Sequence, residues 1–214
     1  MKKFTKMWAI AACALFAGTA AVNAEDYTWK FVTAGDATTS AIRSDGSLWS
    51  WGWNEKGQGG NGVSERTATP TLADGNRVWK KAVGGKAYGF FLAEDGSLWA
   101  AGTHEGGVQG TNDGIDHKVL TRIGTDNDWA DMACSRFWGY SGFAIKTNGT
   151  LWAWGKNSAG QLGIGNTQAQ TAPVQVGADM DWKQVAAGCS SVLALKTDGS
   201  LWGWGFNMYS ELFG

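Results

Sequence analysis

Apolar residues recur along the chain in short runs, and the runs are separated by Asp-Gly or Asn-Gly pairs. The clearest case is Thr197-Asp198-Gly199-Ser200-Leu201-Trp202-Gly203-Trp204-Gly205-Phe206-Asn207. Residues 45–54 and 148–157 are further copies, and residues 95–104 are a decayed one that keeps Asp95-Gly96-Ser97-Leu98-Trp99. Such a pair between two apolar runs predicts a β-hairpin with a type I′ turn, which needs positive φ at both central residues. After the turn, the two Trp of each intact copy stand two residues apart and so share one face of a strand. Each copy is then a hairpin whose aromatic face must be buried.

A second marker sets the period. Trp29, Trp79, Trp129 and Trp182 each open a similar run, as in Trp182-Lys-Gln-Val-Ala-Ala-Gly188 beside Trp29-Lys-Phe-Val-Thr-Ala-Gly35. From each Trp to the next turn glycine the spacing is 17, 17, 20 and 17 residues, and from turn glycine to the next Trp it is 33 throughout. The chain is therefore a repeat of about 50 residues with one three-residue insertion in its third unit. Four strands fit in a unit. Strand a follows the leading Trp (Val185 to Gly188) and strand b alternates up to the turn (Val192 to Lys196). Strand c is the Leu-Trp-x-Trp-Gly run, and strand d is a short segment such as 172–176. Pro173 and its counterpart Pro70 suit an edge strand, where the missing N–H breaks no ladder bond. Four short antiparallel strands per repeat, with periodic glycine and aromatic residues, predict the blade of a β-propeller.

Val185-Ala186-Ala187-Gly188, Leu193-Ala194-Leu195-Lys196, Asp198 to Gly205, and Gly155-Lys156-Asn157 through Gly160-Gln161-Leu162-Gly163 closely resemble the repeat of the regulator of chromosome condensation family. The resemblance covers nearly all of the chain after the first 24 residues. It implies an all-β propeller, usually of seven blades in that family. It says less of function, because a fold does not fix one. The founding member's nucleotide exchange on a small nuclear GTPase rests on loops with no match here, and secreted bacterial relatives include a β-lactamase inhibitor protein.

This chain departs from that pattern in its number of units. Four are present, with about 15 strands where a closed four-bladed ring takes 16, because 15 residues after Gly199 leave no strand d in the last unit. Unpaired edges invite pairing with another chain. The expectation is an incomplete or truncated propeller, or one that completes itself as a homo-oligomer through its open edges. A compact four-bladed ring is the alternative.

Composition adds a compartment. Lys2, Lys3 and Lys6 precede an apolar run from Met7 to Ala21, and Val22-Asn23-Ala24 has the small residues of a cleavage site. Residues 1–24 read as a bacterial signal peptide cleaved after Ala24. Residues 25–214 are then a secreted or periplasmic repeat domain with units starting near Trp29, Trp79, Trp129 and Trp182. Dropping the three lysines from 18 basic residues leaves 15 against 19 acidic ones, a net charge of −4. No basic stripe remains for a nucleic acid. Glycine at 32 positions and tryptophan at 14 point to many tight turns around an aromatic core.

Candidate chemistry is sparse. His104 and His117 lie in the decayed unit near Glu105, Asp113 and Asp116, but no spacing there matches a zinc or calcium loop. Asp179 and Asp181 sit in a turn where Asp serves as a local backbone acceptor. Cys134 and Cys189 read as small apolar packers, with a disulfide as the alternative. The tryptophans follow the fold period, so packing explains them better than a sugar platform. The expectation is no catalytic residue, no metal, no cofactor and no enzymatic activity.

Function is more readily written where the repeat is broken. The insertion falls within Ser135 to Trp138, in an a–b loop that reads Arg136-Phe137-Trp138-Gly139-Tyr140. Arg136, Phe137, Trp138 and Tyr140 are the candidate partner-binding residues, because aromatic residues and arginine dominate contact surfaces. Trp53 and Tyr209 are weaker candidates of that kind. The sequence thus predicts a non-enzymatic module that binds a protein partner through its rim loops. The alternatives are an extracellular enzyme inhibitor of the β-lactamase-inhibitor type, a glycan-binding module, and a fragment with no independent role.

Overall fold

The computed structural model describes residues 28–210 and 212, so the leader expected at 1–24 lies outside the described residues. Among the described residues, fifteen strands form four antiparallel sheets, one per sequence unit. Blade 1 is β1 (Trp29–Ala34), β2 (Thr38–Arg43), β3 (Leu48–Gly52) and β4 (Thr67–Asp74). Blade 2 is β5 (Trp79–Gly84), β6 (Tyr88–Ala93), β7 (Leu98–Gly102) and β8 (His117–Arg122). Blade 3 is β9 (Trp129–Cys134), β10 (Ser141–Lys146), β11 (Leu151–Gly155) and β12 (Gln170–Gln175). Blade 4 is β13 (Trp182–Ala187), β14 (Ser191–Lys196) and β15 (Leu201–Gly205), with no fourth strand among the described residues. Each blade is a meander in sequence order, and each first strand starts on a leading Trp.

The hairpin turns differ from the sequence expectation. Only the glycine is left-handed, at φ +86° for Gly46 and +80° for Gly149, while the preceding Asp or Asn is not. The Gly46 N–H donates to the Arg43 carbonyl at 2.9 Å and the Arg43 N–H to the Ser47 carbonyl at 3.0 Å. This is a type I turn closed by a glycine bulge, one residue longer than the type I′ turn. The Asp is selected for a different reason: Asp45 Oδ1 accepts the Ser47 N–H at 2.8 Å and the Ser47 hydroxyl at 2.6 Å. These two bonds hold the Asp45 carboxyl below the usual carboxylate range. The Ser47 hydroxyl in turn accepts the Trp49 indole N–H at 2.8 Å, and the same relay recurs in the other three blades.

Alternation along the strands gives each blade two unlike apolar faces. In blade 3, Trp129, Met132, Ala144 and Trp154 pack on Phe90, Leu92, Leu98 and Ala100 of blade 2. Its opposite face, Phe143, Ile145, Leu151 and Ala153, packs on Trp182, Val185 and Ala194 of blade 4. Ile42 and Leu48 of blade 1 meet Trp79 and Ala82 of blade 2 in the same way. A tryptophan face therefore seats each time on a mainly aliphatic face, which in blades 2 and 3 also carries Phe90 and Phe143. The two outermost faces, on blades 1 and 4, carry exposed Trp29, Val32 and Leu201, so the chain forms an open arc and not a compact four-bladed ring.

Cys134 and Cys189 are both free thiols; Cys134 is buried in β9, and burial pushes its thiol up to about 12, whereas Cys189 lies exposed in the β13–β14 loop. Only the thiolate reacts at an appreciable rate. In residues 25–214, which leave out the third cysteine Cys13, a maleimide should therefore label the folded chain once, at Cys189, and a second time only after denaturation. Two labels on the folded chain would contradict the burial of Cys134.

Candidate functional site

Strand polarity sends the a–b loop and the segment after strand c of every blade to one end, and the Asp-Gly or Asn-Gly turns to the other. In blade 3 the start of β10 pairs with the end of β11, Ser141 opposite Gly155. The residue after β11 is tied to the a–b loop, Lys156 N–H donating to the Tyr140 carbonyl at 2.8 Å. Trp53 to Ala37, Thr103 to Ala87 and Phe206 to Ser190 repeat that bond in the other blades.

A buried asparagine shapes the c–d loops. Asn157 Nδ2 donates to the carbonyls of Asn166 at 2.9 Å and Gln168 at 3.0 Å, and its Oδ1 accepts the Leu162 N–H at 2.9 Å. Asn54 does the same work in blade 1, reaching Asn61, Val63 and Gly59. Blade 2 has His104 at this position, and Asp116 takes over. Asp116 Oδ1 lies 2.7 Å from His104 Nδ1 and accepts the His104 N–H at 2.9 Å, while Lys56 approaches its other oxygen at 3.3 Å. Partial burial raises the Asp116 carboxyl, but these bonds outweigh it and bring the pKa down to about 2. His117 Nε2 pairs separately with Asp113 at 2.8 Å. The two histidines thus take one carboxylate each, and the described residues contain no group of three that could hold a metal.

Asp179 and Asp181 also have a structural partner. Both reach the Lys196 ammonium, at 2.7 Å and 3.1 Å, and that ammonium lies 4.9 Å from the ring centre of Trp182 and 5.0 Å from that of Trp202. Lys146, between Trp129 and Trp152 with Asp126 and Asp128, repeats the arrangement. Burial lowers the Lys146 pKa, and the two carboxylates more than reverse this, so it stands above the ordinary lysine value.

The inserted loop of blade 3 is where the rim departs from its own repeat. Phe137 and Tyr140 are left-handed at φ +52° and +44°, a backbone region in which bulky residues are rare. Outliers of this kind persist where the surroundings enforce them. Here the Arg136 N–H donates to the Gly188 carbonyl of blade 4 at 3.1 Å, and Ser141 Oγ donates to the Lys156 carbonyl at 2.7 Å. From below, the Tyr88 hydroxyl donates to the Ser135 carbonyl at 2.6 Å. Burial pushes that hydroxyl well above its usual pKa, so it stays a donor.

The four candidate contact residues divide. Arg136 is exposed, and Phe137 and Trp138 keep 58% and 59% of their surface in solvent. Tyr140 is 3% exposed and packs on Tyr88 with ring centres 5.9 Å apart, so it supports the loop from within and is not part of its surface. Lys86, which the sequence did not single out, lies over the Trp138 ring. Phe206, Met208 and Tyr209 of the blade 4 loop are exposed at the same end, whereas Trp53 is half-buried. The departure of that loop from the repeat pattern was the available signal for Phe206 and Met208; nothing local marked Lys86.

The model of the Regulator of chromosome condensation (RCC1) repeat matches residues 45–92 and 148–195, and a second model of the same repeat matches 29–58. The chain belongs to the regulator of chromosome condensation repeat family. Each longer match runs from a hairpin turn of one RCC1 blade into the second strand of the next, Asp45 into β6 and Asn148 into β14. Among characterised RCC1-repeat proteins, the chain is 30% identical over 163 residues to the ultraviolet-B receptor UVR8 of Arabidopsis thaliana, covering 75% of this chain and 37% of that one. It is 28% identical over 136 residues to human Protein RCC2, covering 63% and 16%. It thus spans well under half the length of these relatives.

Solved RCC1-type propellers share the fold. Human WBSCR16 superposes with a TM-score of 0.73 at 20% identity over 85% of this chain and 48% of its own. Yeast RCC1 (Prp20), solved bound to Kap60, gives 0.73 at 23% identity over 85% and 44%.

Proposed function

We propose that this chain is an exported, non-enzymatic interaction module that grips a protein partner with the a–b and c–d rim, through Arg136, Phe137 and Trp138. The observation that carries this reading is the inserted loop, which holds two large aromatic side chains in solvent on a backbone fixed from three sides. A preorganised aromatic pair beside an arginine is the composition of a binding hot spot, and rigidity lowers the ordering cost of association. Relatives of similar fold bind proteins: yeast Prp20 is described with Kap60, Gsp1p and histones. Export rests on the leader at residues 1–24. A flat sugar platform fits Trp138 less well, because the Lys86 ammonium covers one ring face.

The test is site-specific photo-crosslinking in cells that export the full chain. A photoreactive side chain at position 138 should capture a discrete protein, and one at exposed Thr125, on the opposite end, should not. Equal capture at both positions, or none at 138, would remove the rim from the proposal. Recovery of the uncleaved chain in the cytoplasm would remove export.

A further inference from the structure

The arc ends in two faces that match each other. The position filled by Trp79, Trp129 and Trp182, all buried against the preceding blade, is filled in blade 1 by Trp29, which is 45% exposed. Val32 stands where Ala82, Met132 and Val185 are buried, and it is 65% exposed. At the other end, Leu201 stands where Leu48, Leu98 and Leu151 are buried under the next blade's tryptophan face, and it is 50% exposed. Among the described residues, no aliphatic face covers the tryptophan face of blade 1, and no tryptophan face covers the aliphatic face of blade 4.

The hairpin glycines give an independent reading of the same gap. A Cβ at Gly46 would meet the Val78 side chain, at Gly96 the Asn127 carbonyl, and at Gly149 the Met180 carbonyl; each of these is the segment leading into the next blade. At Gly199 a Cβ would meet nothing within 4 Å. The carbonyls of Gly46, Gly96 and Gly149 accept the N–H of the next leading Trp at 2.9, 3.2 and 3.0 Å. Gly199 and Trp29 hold the equivalent acceptor and donor positions at the two ends.

We propose that two copies of this chain close on each other head to tail, the aliphatic face of each blade 4 seating on the tryptophan face of the other copy's blade 1. The occupant of each open face is then a surface of stated shape and chemistry, already built three times inside every copy. A head-to-tail contact either closes into a ring or propagates as a filament. Four blades twice over make eight, within the range that propellers adopt. Burial of Trp29, Val32 and Leu201 at both junctions supplies the driving force, as in the internal junctions. This assembly is independent of the rim function.

The test is light scattering of the purified chain and of two variants, Val32→Arg and Leu201→Arg. Both positions are exposed in the single chain, so circular dichroism should stay that of the parent. The parent should have twice the mass of one chain. Each variant alone should be monomeric, because every junction then includes a spoiled face. Mixed in equal amounts they should regain a dimer, because the intact aliphatic face of Val32→Arg meets the intact tryptophan face of Leu201→Arg. A parent that is monomeric at every concentration would overturn the proposal, as would an open series of higher masses. So would a Leu201→Arg dimer beside a Val32→Arg monomer, which marks pairing of like faces. If either variant misfolds, the parent's mass still decides.

Discussion

Replacing Trp154 by alanine is expected to destabilise the chain by about 4 kcal/mol, in the range for loss of a large aromatic from a packed core. Trp154 is fully buried between blades 2 and 3. Its ring lies 5.2 Å from that of Phe90, and its indole N–H donates to the Val108 carbonyl at 2.8 Å. Gly142 and Gly110 are close because of it: a Cβ on either would run into the indole. Two glycine backbones cannot collapse into the space it leaves, so the cavity persists and the cost stays high. The midpoint of thermal unfolding should fall by roughly 10 °C. Trp154→Phe should cost about 2 kcal/mol, since it restores most of the ring but orphans the Val108 carbonyl. The solvent-exposed Trp138→Ala should cost less than about 1 kcal/mol. Urea unfolding followed by circular dichroism separates the three, and a Trp154→Ala loss no larger than that of Trp138→Ala would refute the packing described for blades 2 and 3.

Asn157→Ala is the second large expected effect, about 3 kcal/mol. The side chain is fully buried and has a hydrogen-bond partner at each end of its amide. Truncation leaves a buried N–H and two carbonyls to find new partners, and each buried orphan costs about 1–3 kcal/mol. Asn157→Asp keeps the acceptor for Leu162 but sets a second carboxylate oxygen against two carbonyl oxygens. It should therefore lose as much as alanine at pH 7. Burial and the two facing carbonyls raise the pKa of that carboxyl above the usual range, so part of the loss should return as the pH falls from neutral towards about 4 and a protonated carboxyl can donate again. An Asn157→Asp chain as stable as the parent at pH 7 would mean that the loop is not organised by this amide.

The repeat, its period and the strand content were legible because they depend on alternation and spacing, which local sterics translate directly into strands and turns. The leading tryptophans mark the first strand of every blade, and Pro70 and Pro173 do lie in the outer strands β4 and β12. What escaped depends on where a side chain reaches. The column of Asn54, Asn157 and Asn207 was visible, but its bonds run to backbone groups five to eleven residues ahead, along a loop path that no periodicity encodes. The pair Asp179 and Asp181 looked like a turn feature because Lys196 reaches it only through the β13–β14 register. On the rim loop, composition singled out four residues together. Facing separated them, since a left-handed backbone at Phe137 and Tyr140 turns one aromatic outward and the other in.

The one-on-one stacking of the blades also governs how the chain loses its structure. Each blade packs on its immediate neighbours alone, so the free energy of the array is close to a sum of blade terms and junction terms. Blades 2 and 3 are each held by two junctions within the chain, and blades 1 and 4 by one. Opening therefore begins as fraying from both ends, with β1 and β15 the least protected elements and β6, β7, β10 and β11 the last to exchange their amides. Anything that covers the end faces removes the two weakest points together, and turns a chain that unravels gradually into one that melts in a single step.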